Sequence, residues 1–247
     1  MIKTALIGQG YWGKIIEQKL DKLSDKLFVQ NSKSYNPKLF SEVDWAFVAT
    51  PVQTHYQIVK DCILQKVNVF VEKPFCTSSA EAEVLIALAK ENEVILCVDN
   101  VFLFKEELSL LNTVKPKKLK FLWHKDGPFN DNLFNDLLYH DMYLLIDNFG
   151  FKKIESLKWN KVEKDILDFE FYYGDIWIKV DYDRTKIGIK SKKIFVDSNL
   201  IDFRNGNVDS LSDFIEKCIA KELDFQYLQT LNLQTIILIE NINNHHN

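Results

Sequence analysis

The sequence predicts an α/β domain with a parallel sheet, followed by an α+β domain whose sheet is mainly antiparallel. Over the first hundred residues, short apolar runs alternate with helical patterns, which is typical of βαβ units. From about residue 150, apolar and polar residues alternate in period two between short polar turns, which is typical of antiparallel strands. We place the boundary near Asn100, which gives domains of residues 1–100 and 101–247, and the last helices can pack on either domain.

The first domain is predicted to contain five strands and three helices. The strands cover residues 2–7, 27–30, 45–49, 68–71 and 94–98, and the helices cover residues 14–23, 53–65 and 77–91. Thr77 or Ser78 caps the third helix, and Glu81 is placed to complete a capping box. Strands that alternate with helices in this way predict a parallel sheet that is covered on both faces.

The second domain is predicted to begin with a strand and an amphipathic helix, at residues 120–124 and 132–149. Six strand-like segments follow, at residues 154–159, 166–173, 176–182, 186–189, 194–196 and 200–203. Two helices, at residues 210–221 and 225–241, close the chain.

Composition excludes several classes of protein. The 247 residues include 31 Lys and Arg and 35 Asp and Glu, a net charge of −4, so the basic excess of a dedicated nucleic-acid binder is absent. No apolar stretch approaches the roughly 18 residues of a membrane helix, and the start lacks a signal-peptide pattern. We expect a cytoplasmic protein with no nucleic-acid or membrane partner.

The cysteine pattern indicates reduced core thiols. None of Cys62, Cys76, Cys97 and Cys218 forms a CxxC pair, and no histidine lies beside them at zinc-ligand spacing. We therefore predict neither a disulfide framework nor a metal site.

A glycine motif, Gly8-x-Gly10-x-x-Gly13, separates the first predicted strand from the first predicted helix. The first glycine permits a tight turn, the second lets the backbone approach a pyrophosphate, and the third lets the helix pack on the strand. The helix N-terminus then offers unpaired N–H groups to the phosphates. A plain glycine-rich turn is the alternative, but the βαβ context favours a Rossmann dinucleotide site.

The residues after the second strand leave the cofactor open between NAD and NADP. The acidic residue that usually binds the ribose 2′-hydroxyl is missing there. Asn31 or Ser32 could bind that hydroxyl, whereas Lys33 could meet a 2′-phosphate.

Two places in the sequence carry candidate acid–base groups. Asp136 and His140 are four residues apart on a predicted helix, so they project from one face, and the carboxylate could orient the imidazole. Lys73 ends a predicted parallel strand at its carboxyl edge, where open α/β sheets bind ligands. The alternatives are a surface Asp–His pair and a simple strand end.

Three motifs in the first domain resemble the glucose–fructose oxidoreductase, inositol dehydrogenase and MocA (Gfo/Idh/MocA) family: GQGYWGK at 8–14, ATPVQTH at 49–55 and VFVEKP at 69–74. Gly127-Pro128-Phe129, followed by NDLLYHD at 135–141, is similar to a pattern of members that act on nucleotide-linked sugars in surface-polysaccharide pathways. The resemblance covers residues 1–150 well and the rest in outline.

The resemblance implies a hydride transfer between a sugar or nucleotide-sugar hydroxyl and NAD or NADP, in a homodimer or homotetramer. It implies that Lys73, Asp136 and His140 are catalytic, and that His124 and Asp141 bind substrate. The residues implied to bind the cofactor are Gly8, Gly10, Tyr11, Trp12, Gly13, Asn31, Ser32, Thr50, Pro51, His55, Glu72 and Lys73.

Two other hypotheses are a non-catalytic dinucleotide-binding sensor or regulator, and an interaction module with a vestigial nucleotide site. A short second domain motivates the latter. Neither needs Lys73, Asp136 and His140, so their presence favours the enzyme. Asp99 and Asn100 stand where relatives often carry Gly-His, so an altered substrate contact is expected there.

Overall fold

The computed structural model describes residues 2–31, 35–125, 132–202 and 209–245. The chain divides into two compact units. The first consists of residues 1–100 and 211–236, and the second of residues 101–210 and 237–247. Each unit contains one β-sheet.

The first unit is built on a parallel sheet with the strand order β2-β1-β3-β4-β5. Its strands are β1 (Ile2–Ile7), β2 (Ser24–Gln30), β3 (Trp45–Val48), β4 (Asn68–Val71) and β5 (Leu96–Val98). Its first three helices are α1 (Tyr11–Leu23), α2 (His55–Leu64) and α3 (Ser79–Glu91). The near-continuous apolar strands are buried because helices cover both faces of such a sheet.

The start of α3 confirms the predicted capping box. The Ser78 hydroxyl accepts a hydrogen bond from the Glu81 amide at 3.2 Å, and the Glu81 carboxylate accepts one from the Thr77 amide at 2.8 Å. Two backbone N–H groups at the N-terminal end of α3 thereby gain hydrogen-bond acceptors.

The second unit contains a six-stranded sheet and the helix α4. The sheet has the order β11-β10-β6-β9-β8-β7, and all its pairs are antiparallel except β6 with β9. Its elements are β6 (Lys118–Lys125), α4 (Tyr139–Phe149), β7 (Ile154–Glu163), β8 (Ile166–Tyr173), β9 (Ile176–Asp183), β10 (Lys190–Val196) and β11 (Asn199–Asp202). The two sheets confirm the predicted fold class.

Two helices follow, α5 (Ser210–Ile219) and α6 (Phe225–Asn244). Within the first unit, the Asn100 and Asn232 side chains donate to each other at 3.1 and 2.7 Å, and both are fully buried. Asn100 therefore has a structural partner on α6, where an altered substrate contact was expected. None of the described helices combines the length and apolarity of a membrane span.

The second unit departs from the predicted elements in two places. The predicted strand at residues 186–189 is wrong, because Gly188 adopts a φ of +74° in a turn that leaves Ile187 90% exposed. The predicted helix at 132–149 begins with a π-helical turn, Phe134–Leu138, before α4. Such turns are rare and disturb the spacing of side chains along a helix. The end of the last predicted strand, at Phe203, lies outside the described residues.

Candidate active site

Two of the three motif glycines are required by the packing of the turn between β1 and α1. Gly8 has a φ of +114°, and a Cβ there would collide with the Ala49 carbonyl oxygen. A Cβ on Gly13 would collide with the Gly8 carbonyl oxygen. Both positions therefore exclude any side chain, as the motif predicts.

The second glycine of the motif borders open space. A Cβ on Gly10 would meet no atom within 4 Å, although this residue is the N-cap of α1. No side chain caps this helix in the described part of the chain, and Tyr11 and Trp12 beside it are exposed. The backbone amides at the positive end of α1 thus border open space, which a Cβ at residue 10 would enter; we call this position the glycine cradle.

The same sheet edge holds the other residues predicted to bind the cofactor. Asn31 directly follows β2 and is exposed there. Thr50 and Pro51 follow β3, and the Thr50 hydroxyl is hydrogen-bonded to that of Thr54 at 2.7 Å. Ser32 and Lys33 lie outside the described residues.

His55 connects two of these loops from inside the protein. Its ring nitrogens lie 2.8 Å from the Pro74 carbonyl oxygen and 2.7 Å from the Thr50 carbonyl oxygen, and its side chain is buried. Because protein carbonyls occupy both nitrogens, His55 does not offer either to a cofactor. Its place is to hold the loops that follow β3 and β4.

Glu72 and Asp99 form a buried carboxyl pair at the ends of the adjacent strands β4 and β5. Burial and the neighbouring Asp99, to which it is hydrogen-bonded, raise the pKa of Glu72 well above its ordinary value, while Lys73 opposes the shift. The protonated form of Glu72 is thereby favoured over the carboxylate. Glu72 Oε1 is buried and has no hydrogen-bond partner among the described residues, which suits a ligand hydroxyl. Lys73 follows Glu72 and is partly exposed.

Asp136 lies in the π-helical turn and forms an ion pair with Arg184. The Arg184 side chain is almost fully buried, and its residue directly follows β9. A neighbouring guanidinium favours the ionised form of a carboxyl group. Arg184 lies 48 residues further along the chain than Asp136, and the role of Asp136 in orienting His140 stays a prediction.

His140 lies at the start of α4 within an aromatic cluster. Its ring stacks on Phe102 with a centroid separation of 4.2 Å and an interplanar angle of 28°. His140 Nδ1 lies 3.4 Å from the Tyr143 hydroxyl. One face and one nitrogen of the imidazole are thus engaged by the protein.

A lysine from the sheet supports this cluster. Lys192 Nζ lies 3.1 Å from the Phe102 ring centroid and 3.7 Å from the Trp123 ring centroid, so the ammonium is held between two aromatic faces. Such cation–π contacts strengthen when water is excluded. Lys192 thereby fixes the ring on which His140 stacks.

The comparisons with known proteins identify the first domain. Residues 14–100 match a family model described as an oxidoreductase family with an NAD-binding Rossmann fold. The model that these residues match is that of the Gfo/Idh/MocA family. The resemblance that the sequence motifs predicted is confirmed, as is the NAD-binding Rossmann domain.

Relatives extend the comparison to the whole fold. A UDP-N-acetylglucosamine 3-dehydrogenase of Acidithiobacillus ferrooxidans is 26% identical over 116 residues, which span 40% of this chain and only 37% of that enzyme. The structure of that dehydrogenase, GnnA, matches with a TM-score of 0.85 at 18% identity and covers 98% of this chain and 96% of its own. The WlbA dehydrogenase of Thermus thermophilus, in complex with NAD and UDP-GlcNAcA, matches with a TM-score of 0.79 at 13% identity, covering 97% and 94% of the two chains.

The two residues predicted to bind substrate, Asp141 and His124, both have protein partners in the structure. Asp141 is fully buried and accepts hydrogen bonds from Trp123 Nε1 at 2.8 Å and the Tyr182 hydroxyl at 2.6 Å. His124 lies on the sheet face opposite Trp123, because successive side chains of a strand alternate. Substrate binding by either side chain stays a prediction.

His124 forms a surface cluster with Asp181 and Lys120. Its Nε2 lies 3.1 Å from one oxygen of Asp181, and Lys120 Nζ lies 2.7 Å from the other. Partial burial acts to raise the pKa of Asp181, but the hydrogen bonds from Lys120 and His124 outweigh it and lower that pKa. This cluster belongs to the open face of the sheet.

Replacing Asp141 with asparagine should flatten the pH dependence of stability. Burial raises the pKa of Asp141 to about 6, although Lys192, Tyr182 and Trp123 oppose the shift. The folded state therefore binds the proton more tightly than the unfolded state, so stability falls as pH rises from about 4 to above 6. A pKa shift of this size changes the free energy of unfolding by about 3 kcal/mol over this pH range.

Urea unfolding of the wild type and Asp141→Asn between pH 4 and pH 8 measures the slope of the unfolding free energy against pH. Asp147→Asn, on the same helix but partly exposed, is the control and should keep the wild-type slope. An unchanged slope in Asp141→Asn would contradict the assignment.

Sequence reasoning missed the groups that support the proposed catalytic residues. Arg184 forms an ion pair with Asp136. The Lys192 ammonium lies over the Phe102 ring, and the Tyr143 hydroxyl lies near His140 Nδ1. The predicted strand at residues 194–196 began after Lys192, so no sequence signal placed this lysine on the inward-packing side of β10. The motif segment Gly127-Pro128-Phe129 lies outside the described residues.

Proposed function

We propose that this protein is an NAD(P)-dependent oxidoreductase that acts on a hydroxyl group of a nucleotide-sugar. The observation that carries the proposal is the open cradle at Gly10, where α1 begins without a side-chain cap. Glu72 Oε1 adds a buried acceptor at the same sheet edge, suited to the ribose of a dinucleotide. Gly8, Gly10 and Gly13, with the exposed rings of Tyr11 and Trp12, would hold the cofactor.

The acid–base work falls to Lys73 and His140. When bound, NAD supplies the hydride acceptor. His140 accepts the proton of the substrate hydroxyl, and Lys73 is the second residue to which the resemblance gives an acid–base role. The guanidinium of Arg184 beside Asp136 disfavours proton uptake by that carboxyl group, so Asp136 contributes charge and position.

The substrate class follows from the relatives. The curated relative is named as a dehydrogenase of UDP-N-acetylglucosamine, and WlbA is described with UDP-GlcNAcA bound. A UDP-linked amino sugar is therefore the first substrate to test. NAD is the first cofactor to test, because the family model is NAD-binding and the structure does not describe Lys33.

We also propose a cytoplasmic homo-oligomer. Both NAD and nucleotide-sugars are cytoplasmic metabolites, and the open face of the second sheet carries Trp177 and the half-exposed Tyr172 beside charged side chains. Such a mixed surface suits a contact between copies of the chain.

Fluorescence titration with NADH and NADPH tests the cradle directly. Energy transfer from Trp12 should report binding of at least one of them at micromolar concentration. Turnover of UDP-N-acetylglucosamine with NAD⁺ or NADP⁺ is then followed at the nicotinamide absorbance band. If neither dinucleotide binds at millimolar concentration, the enzyme proposal is wrong. Binding without turnover of any nucleotide-sugar would favour the sensor hypothesis.

A further inference from the structure

Asp141 attaches α4 to the second sheet through one oxygen atom. Its Oδ2 accepts hydrogen bonds from Trp123 Nε1 at 2.8 Å and from the Tyr182 hydroxyl at 2.6 Å, and all three side chains are buried. Asp141 Oδ1 has no hydrogen-bond partner among the described residues. The side chain of Asp141 is therefore anchored by the pair that Trp123 and Tyr182 form.

The two donors lie side by side in the sheet. Trp123 of β6 is the register partner of Tyr182 on the parallel strand β9, and it is also the register partner of Lys192 on the antiparallel strand β10. Residues that are paired across neighbouring strands point to the same face of a sheet, so these three side chains form one row across three strands. A carboxylate that binds two members of this row restricts the rotation of its helix about the helix axis.

The rotation of α4 determines where the His140 side chain lies. His140 directly precedes Asp141, and neighbouring residues of an α-helix are separated by about 100° around its axis. With Asp141 fixed over the row, the His140 ring stacks on Phe102 with a centroid separation of 4.2 Å and an interplanar angle of 28°. A different rotation of α4 would move the imidazole off this ring.

The indole that Asp141 binds also belongs to the aromatic stack that contacts His140. The ring centroid of Trp123 lies 6.1 Å from that of Phe102 and 6.1 Å from that of His140, with interplanar angles of 25° and 20°. By accepting the indole N–H, Asp141 restricts the plane of this ring as well as the rotation of α4. The Lys192 ammonium lies over Phe102 and Trp123, and its positive charge favours the carboxylate form of Asp141.

We propose that Asp141 is a positioning residue: its carboxylate, bound to Trp123 and Tyr182, sets the rotation of α4 and thereby holds His140 on the aromatic stack. The kinetic part of this inference rests on the proposed function. The role requires no contact between Asp141 and a substrate, because it acts entirely through buried groups of the second unit.

Proton–carbon NMR of the histidine rings in the full-length protein tests the position of His140 without cofactor or substrate. Ring protons of an imidazole that is stacked on phenylalanine resonate upfield of their usual range, and the His140 signals are assigned by their loss in His140→Gln. Asp141→Leu has nearly the shape of the wild-type side chain but accepts no hydrogen bond, so it should abolish the upfield shift. Asp141→Asn should retain the shift, because its amide oxygen can accept both hydrogen bonds. Retention of the shift in Asp141→Leu, or its loss in Asp141→Asn, would overturn the proposal.

Tyr182→Phe tests the same anchor by a smaller change, and it decides the question if Asp141→Leu fails to fold. It removes one of the two donors, so the upfield shift of the His140 signals should shrink. Tyr173→Phe is the matched control, because Tyr173 is a buried tyrosine of the neighbouring strand β8 whose hydroxyl donates to the Gly150 carbonyl oxygen at the end of α4. It should leave the His140 signals unchanged. A wild-type shift in Tyr182→Phe, or equal changes in both variants, would contradict a specific anchor at Asp141.

Kinetics then separate a positioning role from a structural one. Tyr182→Phe should lower kcat for UDP-N-acetylglucosamine oxidation about tenfold and leave the KM for NAD⁺ unchanged, because a displaced base slows the chemical step. Tyr173→Phe should leave both constants unchanged. A wild type that shows the upfield shift but turns over no nucleotide-sugar would count against the proposed function and for the anchor. An active wild type with a normal kcat in Tyr182→Phe would count against the positioning role alone.

Discussion

Replacing His140 with glutamine should lower kcat by about 10²–10⁴-fold, the usual contribution of a positioned general base. Glutamine retains a polar side chain of similar reach but cannot accept a substrate proton at neutral pH. The affinity for NADH should stay within about twofold of the wild type, because the glycine cradle lies in the other unit of the chain. Steady-state kinetics with UDP-N-acetylglucosamine and a separate NADH titration measure the two quantities.

His124→Gln provides a matched control for this experiment. It makes the same chemical change in the same unit, but on the sheet face that carries Asp181 and Lys120. Its kcat should stay close to that of the wild type. Comparable losses in both variants would indicate a general loss of structure, and a His140→Gln variant with nearly normal kcat would remove His140 from the mechanism.

The fold could be predicted because burial in both sheets follows the order of apolar and polar residues along the sequence. The first unit has apolar strands between helices of ordinary length, and each strand lies within a few residues of its predicted place. The second sheet follows from period-two alternation in β8 and β9. The strand predicted at residues 186–189 failed because an apolar stretch can also be a turn when glycine adopts a positive φ.

The site could be predicted only where a motif fixes the chemistry within a few residues. Gly8 and Gly13 lie where the motif places them, and their exclusion of a side chain is visible in the packing. The Asp136–Arg184 pair could not be predicted, because it joins residues 48 positions apart whose proximity depends on the second sheet. Nothing in the spacing of residues reveals such a contact.

Asp141 and His124 show a second limit of sequence reasoning. Each directly follows a residue of the aromatic cluster, His140 or Trp123, and the resemblance implied that both bind substrate. A shift of one residue turns a strand side chain to the opposite face, and about a quarter turn separates neighbours on a helix. Which of two adjacent side chains faces the aromatic cluster depends on how the strand or helix is rotated about its axis. Tertiary packing sets that rotation.

Substituting the three motif glycines with alanine should separate folding from cofactor binding. Gly8→Ala and Gly13→Ala place a methyl group against backbone carbonyl oxygens, which cannot move without disturbing β1, α1 or the loop after β3. Each should lower the free energy of unfolding by about 3 kcal/mol, or Tm by roughly 10 °C, as overpacking of a rigid site does.

Gly10→Ala should behave differently, because its methyl group enters open space. The backbone at Gly10 has a φ of −73°, which alanine adopts without strain, so stability should change by less than about 0.5 kcal/mol. The affinity for NADH should nevertheless fall at least about tenfold, because the methyl group narrows the approach to the amides of α1. Thermal unfolding and NADH titration of the three variants measure both effects. A Gly10→Ala variant that binds NADH normally would show that the phosphates do not lie in this cradle, and the observation that carries the proposed function would be lost.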